Sequence, residues 1–186
     1  TGFNDAATKF YDLVQVGSIY QISKASLQQK KPQFNMTNHD FEITLGRDST
    51  VELCPEDAET QSIPKIIFNF RPIAEIETVA INTFMDVIGI VETVSDWVSI
   101  ARKTGEDTKK RSVVLRDSSG RSIECTLWGD FAVKVGSELE QLFKSGQHPV
   151  LAIKNARVGE YQGKNLGTVN SSMLLLEPEV AETAAL

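Results

Sequence analysis

Residues 112–130, S-V-V-L-R-D-S-S-G-R-S-I-E-C-T-L-W-G-D, leave the chain little choice of local structure. Two alternating runs flank Asp117-Ser118-Ser119-Gly120. Small polar residues closing on a glycine suit a tight hairpin, because glycine accepts positive φ without steric cost. Val113 and Leu115 share one parity on the first strand; Ile123, Cys125 and Leu127 share one on the second. A period of two places each set on a single face, the core face. The opposite face carries Ser122, Glu124 and Thr126, and then Trp128. A tryptophan in register with polar residues sits on the wet side of a sheet, here close to Lys109, Lys110, Arg111, Arg116 and Arg121. Single-stranded nucleic acid needs that combination: a ring on which bases stack and cations that hold phosphates.

The elements on either side follow from the same two periodicities. Asn4 or Asp5 caps a helix running to about Val14, with Ala6, Phe10, Leu13 and Val14 at helical spacing and Gly17 ending it. Residues 18–27 read as a strand, 30–32 as a loop, and Phe41, Ile43 and Leu45 alternate along a second strand. Residues 54–64 are acidic, hold two prolines and show no periodicity, as a linker does. Ile66, Phe68 and Phe70 alternate as a short strand, and 73–77 suit a short helix. Residues 83–94 form a long apolar strand in which Gly89 marks a bulge or bend. Residues 97–101 give a further strand, and 102–110 a polar loop with Gly105. Residues 131–143 have helical spacing, weakened at Gly136, and Gly146 stops them. Strands follow at 150–153 and 166–176 around a turn at 159–163. The tail beyond Pro178 frays.

From Thr83 the order is strand, strand, strand, helix, strand, strand. A mainly β, five-stranded Greek-key barrel with a helix between strands three and four is the OB fold. The first segment, helix then two strands, repeats the back half of that order. Phe3-Asn4-Asp5 echoes Trp128-Gly129-Asp130, and Phe34 occupies a loop equivalent to that of Tyr161. The expected division is residues 1–53, the C-terminal half of a first OB fold; 54–63, an acidic linker; 64–178, a complete second OB fold; and 179–186, a tail. Some fifty residues are few for an independent core.

Composition narrows the functional classes. The net charge of −6 opposes nucleic-acid binding at first sight. Its distribution does not: residues 40–96 hold twelve acidic against three basic side chains, and residues 98–164 hold twelve basic against eight acidic. No apolar run is long enough for a transmembrane helix, and the N-terminus lacks the pattern of a signal peptide. Cys54 and Cys125 are too few and too far from His39 and His148 for a usual zinc site. No cofactor is expected. With no Ser-His-Asp set, P-loop or dinucleotide fingerprint, an enzyme is not expected either.

The motifs F-N-D-A-A-T-K-F-Y-D-L, V-G-S-I-Y-Q-I-S-K, D-V-I-G-I-V, L-R-D-S-S-G, C-T-L-W-G-D and P-V-L-A-I-K-N-A-R-V run through nearly the whole chain. Together they resemble the replication protein A large-subunit family, whose heterotrimers bind single-stranded DNA. The resemblance implies the second half of one DNA-binding OB domain, a linker and all of the next. It implies base stacking on Phe3 and Phe34 in the first domain and on Trp128 and Tyr161 in the second. Contacts to DNA also fall on Asn4, Arg102 and Arg157. Tyr161 stands where that family commonly has Phe, and a phenol still stacks. Lys110 and Arg111, beside Trp128, join Arg102 and Arg157 as candidate phosphate partners. Trp97 is assigned to the core or barrel rim. The resemblance further implies a nuclear location, roles in DNA replication, repair and recombination, the other subunits of the heterotrimer as partners through regions outside this chain, and replication and repair proteins beyond them. No membrane is expected as a partner. The alternatives are a meiotic or telomeric paralogue sharing the motifs, and an OB-fold module that binds protein. The aromatic pair on a basic face is what separates the nucleic-acid reading from the last.

Overall fold

The computed structural model describes residues 1–2, 5–15, 17–31, 35, 39–55, 66–101 and 105–186. They fall into two units, Thr1–Ile67 and Phe68–Leu186.

The first unit holds helix α1 (Asp5–Tyr11) and strands β1 (Tyr20–Ser23), β2 (Ser26–Gln29), β3 (Phe41–Thr44) and β4 (Thr50–Leu53). α1 stops earlier than its periodicity suggests: Ala6 and Phe10 are buried, while Leu13 and Val14 lie beyond its end and are exposed. The single strand expected over 18–27 is broken at Lys24, whose φ of 53° turns the chain. The buried Ser49 hydroxyl holds that turn by donating to the Lys24 carbonyl at 2.9 Å. β1 therefore pairs with β4, and β2 with β3, both antiparallel. Ala6, Phe10 and Val51 form a small core against Tyr20 and Leu45. Leu27, Phe41, Ile43 and Leu53 are exposed, so the apolar stripe that marks β3 in the sequence is not covered within this unit. Most of the expected linker, residues 56–63, lies outside the described residues.

The second unit contains a 3₁₀ turn (Ile73–Thr78), β5 (Phe84–Val94), β6 (Val98–Ala101), β7 (Asp107–Arg116), β8 (Ser122–Trp128), helix α2 (Asp130–Lys144), β9 (Val150–Glu160), β10 (Lys164–Gly167) and β11 (Met173–Leu176). The pairings close a ring, β5–β7–β8–β10–β9–β5, in which only β8–β10 is parallel. This is the OB barrel, with α2 between its third and fourth strands. Val113, Leu115, Ile123, Cys125 and Leu127 all face the core, as their parity requires. The turn between them is held by Asp117, whose carboxylate accepts from the Ser119 amide at 3.0 Å and from the Ile73 amide at 2.7 Å.

Four stretches differ from the sequence reading. The tail expected to fray beyond Pro178 is a 3₁₀ turn (Ala181–Ala185), with Val180 and Leu186 packed against the cluster of Ile88, Val150 and Ala152. The last strand is two: β10 closes the barrel, and β11 pairs with the first half of β9. Between them the Ser172 hydroxyl donates to the Asn155 carbonyl and accepts from the Val169 amide, each at 2.9 Å, which holds the intervening turn against β9. β7 begins at Asp107 and pairs with β6, so Lys109 and Lys110 lie in a strand rather than a loop. Residues 66–70 form no strand; a single bridge joins Phe70 to Asp86.

β5 is buried on both faces, which explains its nearly unbroken apolar run. Val87 and Val91 point into the barrel, while Ile88 lies beneath Phe68, Phe70 and Leu175. Gly89 is not itself a bulge. A Cβ there would stand 2.8 Å from the Arg116 carbonyl oxygen, so the position serves close approach of β5 to β7. The register shifts lie on either side of Gly89, at Glu92 against β7 and at Asp86 against β9, and the Asp86 carboxylate accepts from the Asn155 amide at 2.7 Å, the Asn69 amide at 2.9 Å and Lys154 Nζ at 3.1 Å. One buried carboxylate thus joins three segments.

Candidate nucleic-acid interface

Trp128 ends β8 on the outer face of the barrel and is partly exposed. Its strand neighbour is Lys110 of β7, whose ammonium stands 6.0 Å from the ring centroid. On the other side runs β10, and Gly167 leaves the space beside the ring open: a Cβ there would already lie 3.6 Å from the indole nitrogen. The Trp128 amide donates to Thr168 Oγ1 at 2.9 Å, and the Thr168 amide donates to the Thr126 carbonyl at 2.9 Å. The ring is therefore carried on a backbone fixed from both sides.

Register places Ser112, Thr126, Gly167 and Arg157 in one row across β7, β8, β10 and β9. Arg157 has the outward parity, between the buried Ala156 and Val158, and is exposed. Its guanidinium makes no hydrogen bond or ion pair among the described residues, so no carboxylate among them neutralises it. Lys110 thus stands beside Trp128, and the unengaged Arg157 lies on the same outer face two strands away, in the row of Thr126.

Tyr161 sits at the tip of the β9–β10 hairpin and is 77% exposed. The tip is fixed although the ring is not. Its amide donates to the Gly163 carbonyl at 2.9 Å, and Asn165 Nδ2 donates to the Tyr161 and Gly163 carbonyls at 3.3 and 3.2 Å. Asn165 can lie there because its strand partner is Gly159, where a Cβ would meet its Oδ1 at 2.6 Å. The turn is about six residues from the level of Trp128 along β10, roughly 20 Å by strand rise. The two rings cannot grip one base, and each is available to its own.

The sequence profile of the replication protein A OB domain matches residues 73–177, more than half of the chain. The chain belongs to the replication protein A OB-domain family. It is 46% identical over 182 residues to a replication protein A 70 kDa DNA-binding subunit of Arabidopsis thaliana, covering 98% of this chain and 28% of that protein. It is 42% identical over 186 residues to a 70 kDa DNA-binding subunit of Oryza sativa subsp. japonica, covering 100% of this chain and 28% of that protein. The chain thus spans less than a third of the length of these relatives. Among solved structures, a replication protein A heterotrimer bound to ssDNA superposes with a TM-score of 0.63 and 34% identity, covering 100% of this chain and 41% of that one.

Within this replication protein A OB domain, Arg111 is not a phosphate partner. It shares the inward parity of Val113 and Leu115, and its side chain is wholly buried beneath α2. Nη1 donates to the Gly136 carbonyl, and Nη2 pairs with Glu140 Oε2 at 2.8 Å. Gly136 is the counterpart: a Cβ there would stand 2.7 Å from Arg111 Cδ. The glycine that weakens the helical pattern is there to admit the arginine, and α2 runs through it unbroken. Only the pairing of an inward arginine with a mid-helix glycine hinted at this. Trp97 is not core either. It is 43% exposed, with Lys109 Nζ 4.5 Å above its ring.

Phe3, Asn4, Phe34 and Arg102 lie outside the described residues. Trp128, Tyr161, Lys110 and Arg157 are described and lie on the outer surface of one barrel. Among the described residues no group of three or more His, Cys, Asp or Glu is placed to hold a metal ion, and no helix is long and apolar enough to cross a membrane. Cys125 is buried in the barrel, and burial, followed by the charge of Glu124, pushes its thiol up to about 12.

Proposed function

We propose that this chain binds single-stranded DNA with little sequence preference, by stacking and phosphate contact and without catalysis. It does so as part of the large subunit of a nuclear replication protein A complex acting in replication, repair and recombination. The observation that carries the proposal is the partly exposed Trp128 ring beside Lys110, on the same barrel face as the unengaged Arg157. Bases stack on Trp128 and Tyr161, each ring worth about 1–3 kcal/mol. Lys110 and Arg157 take the backbone. A duplex is a poor ligand, because its bases are already stacked on one another. The 34% identical replication protein A heterotrimer bound to ssDNA supports the same reading. The remaining subunits bind through regions outside this chain, and replication and repair proteins are further partners. Phe3, Phe34 and Asn4 are proposed to contact DNA in residues 1–53 and Arg102 in residues 64–178, with 54–63 linking the two domains and 179–186 forming a tail.

The test is fluorescence anisotropy with labelled oligo-dT and a matched duplex across a salt series. Tight, salt-sensitive binding of oligo-dT alone, lost in Trp128→Ala/Tyr161→Ala, is the expected result. Equal binding of strand and duplex, or a double variant that binds as wild type does, would overturn the proposal.

A further inference from the structure

Trp128 is the last residue of β8, and the sheet stops behind it. The next residue, Gly129, has φ 58° and ψ −125°, and α2 begins at Asp130. Trp128 also borders a cleft of about 340 Å³, lined further by Asp130, Phe131, Thr168 and Asn170. Packing does not close in the ring on that side, so the ring stands where its backbone puts it.

Successive amides at this end of β8 point to opposite neighbours. The Gly129 amide donates to the Lys109 carbonyl of β7 at 2.8 Å, and the Trp128 amide is turned the other way, towards β10. There the parallel ladder has run out. Its register covers Leu166↔Cys125 and Gly167↔Thr126, and the Thr168 amide makes one more backbone bond, to the Thr126 carbonyl at 2.9 Å. The chain then leaves β8. The Val169 amide donates to Ser172 Oγ, which is itself bonded to the Asn155 carbonyl of β9. What meets the Trp128 amide is therefore a side chain, the buried Thr168 hydroxyl, at 2.9 Å. One residue holds β8 at two successive outward positions, Thr126 through its amide and Trp128 through its hydroxyl.

We infer that Thr168 is a positioning residue for Trp128: its hydroxyl supplies the rung that the ladder lacks and keeps the end of β8, with the ring on it, in the arrangement that stacks on a base. The inference rests on the single-stranded DNA reading above and adds to it a residue that acts through the ring. A backbone donor that loses its acceptor must find water, and here it reaches water by opening the strand end. The ring then spends part of its time elsewhere, and the apparent affinity falls with the fraction that stays competent. A competent fraction of about a tenth to a third corresponds to about a three- to tenfold loss. The loss in Trp128→Ala sets its upper bound.

The test measures oligo-dT affinity by anisotropy in Thr168→Val, which keeps the side-chain shape without the acceptor, and in Thr168→Ser, which keeps the hydroxyl. Below the melting temperature of each, Thr168→Val is expected to bind about three- to tenfold more weakly than wild type and Thr168→Ser within about twofold of it. Added to Trp128→Ala, Thr168→Val is expected to cost nothing more, which a general loosening of the barrel would not reproduce. In a Trp97→Phe protein Trp128 is the only tryptophan, and its fluorescence anisotropy without DNA should fall in Thr168→Val. Thr168→Cys, whose thiol is a weak acceptor, takes the place of Thr168→Val if that variant does not fold. A folded Thr168→Val that binds as wild type does, or that loses the same factor with and without Trp128, would overturn the role. Failure of the single-stranded DNA reading looks different: wild type does not bind oligo-dT, or Trp128→Ala binds it as wild type does.

Discussion

Replacing Gly136 by alanine should destabilise the second unit, against the ordinary rule for helices. In an exposed helix interior, Gly→Ala stabilises by about 1 kcal/mol through backbone entropy. Here the added Cβ would stand 2.7 Å from Arg111 Cδ and 3.1 Å from Nε, well inside van der Waals contact. Arg111 cannot swing away cheaply, because its side chain has no exposed surface and its guanidinium is bonded to both Gly136 and Glu140. Overpacking of this kind costs about 1–3 kcal/mol. Displacing the guanidinium from the Gly136 carbonyl costs a further amount on the order of 1.5–3 kcal/mol for a charged donor. Set against the propensity gain, the net is a loss of about 1.5–5 kcal/mol. The assay is urea unfolding followed by tryptophan fluorescence. Both tryptophans, Trp97 and Trp128, lie in the second unit, so the signal reports that unit alone. Arg111→Met should relieve the collision, so the double variant Arg111→Met/Gly136→Ala should be more stable than the sum of the single changes predicts. A Gly136→Ala protein as stable as wild type, or more so, would refute the claim that the glycine exists to admit Arg111.

Tyr161→Phe should bind oligo-dT within about twofold of wild type, and Tyr161→Ala about five- to 150-fold more weakly by anisotropy, if the ring acts by stacking. Arg157→Ala should lower the slope of log K against log salt by about 0.7, one phosphate contact on a single strand. Its melting temperature should not change, because Arg157 makes no polar contact among the described residues. The Glu140 carboxyl is held below its usual range by hydrogen bonds from Lys144 and then Arg111. Its contribution is therefore present above its unfolded value of about 4.3 and is lost as pH falls through the lower folded value. Acid unfolding of wild type should accordingly be steeper over that window than that of Glu140→Gln, as read by circular dichroism. Cys125, buried with its thiol raised to about 12, should resist a maleimide in the native protein and react only in urea, while the partly buried Cys54 reacts in both. Mass spectrometry counts the labels.

The central hairpin was legible before any fold was known, because a period of two fixes which face each side chain takes. Val113, Leu115, Ile123, Cys125 and Leu127 went inward and Trp128 outward for that reason alone. The order of elements from Thr83 likewise pointed to the OB barrel, and family motifs marked Tyr161 and Arg157. Parity does not say what lies over a face, and there the sequence ran out. Arg111 has core parity, yet it reads as one more cation beside Trp128 until α2 is seen to cover it. Lys109 and Trp97 read as a loop cation and a core or rim ring until β6 pairs with β7 and sets them together. Lys24 looks like any strand residue until Ser49, twenty-five positions away, captures its carbonyl. The cleft that joins Trp128 to Asp130, Thr168 and Asn170 exists only because β10 lies parallel to β8. Local periodicity comes from backbone geometry that each residue carries with it. Burial, pairing partners and clefts come from contacts between residues distant in sequence, and those only the closed barrel supplies.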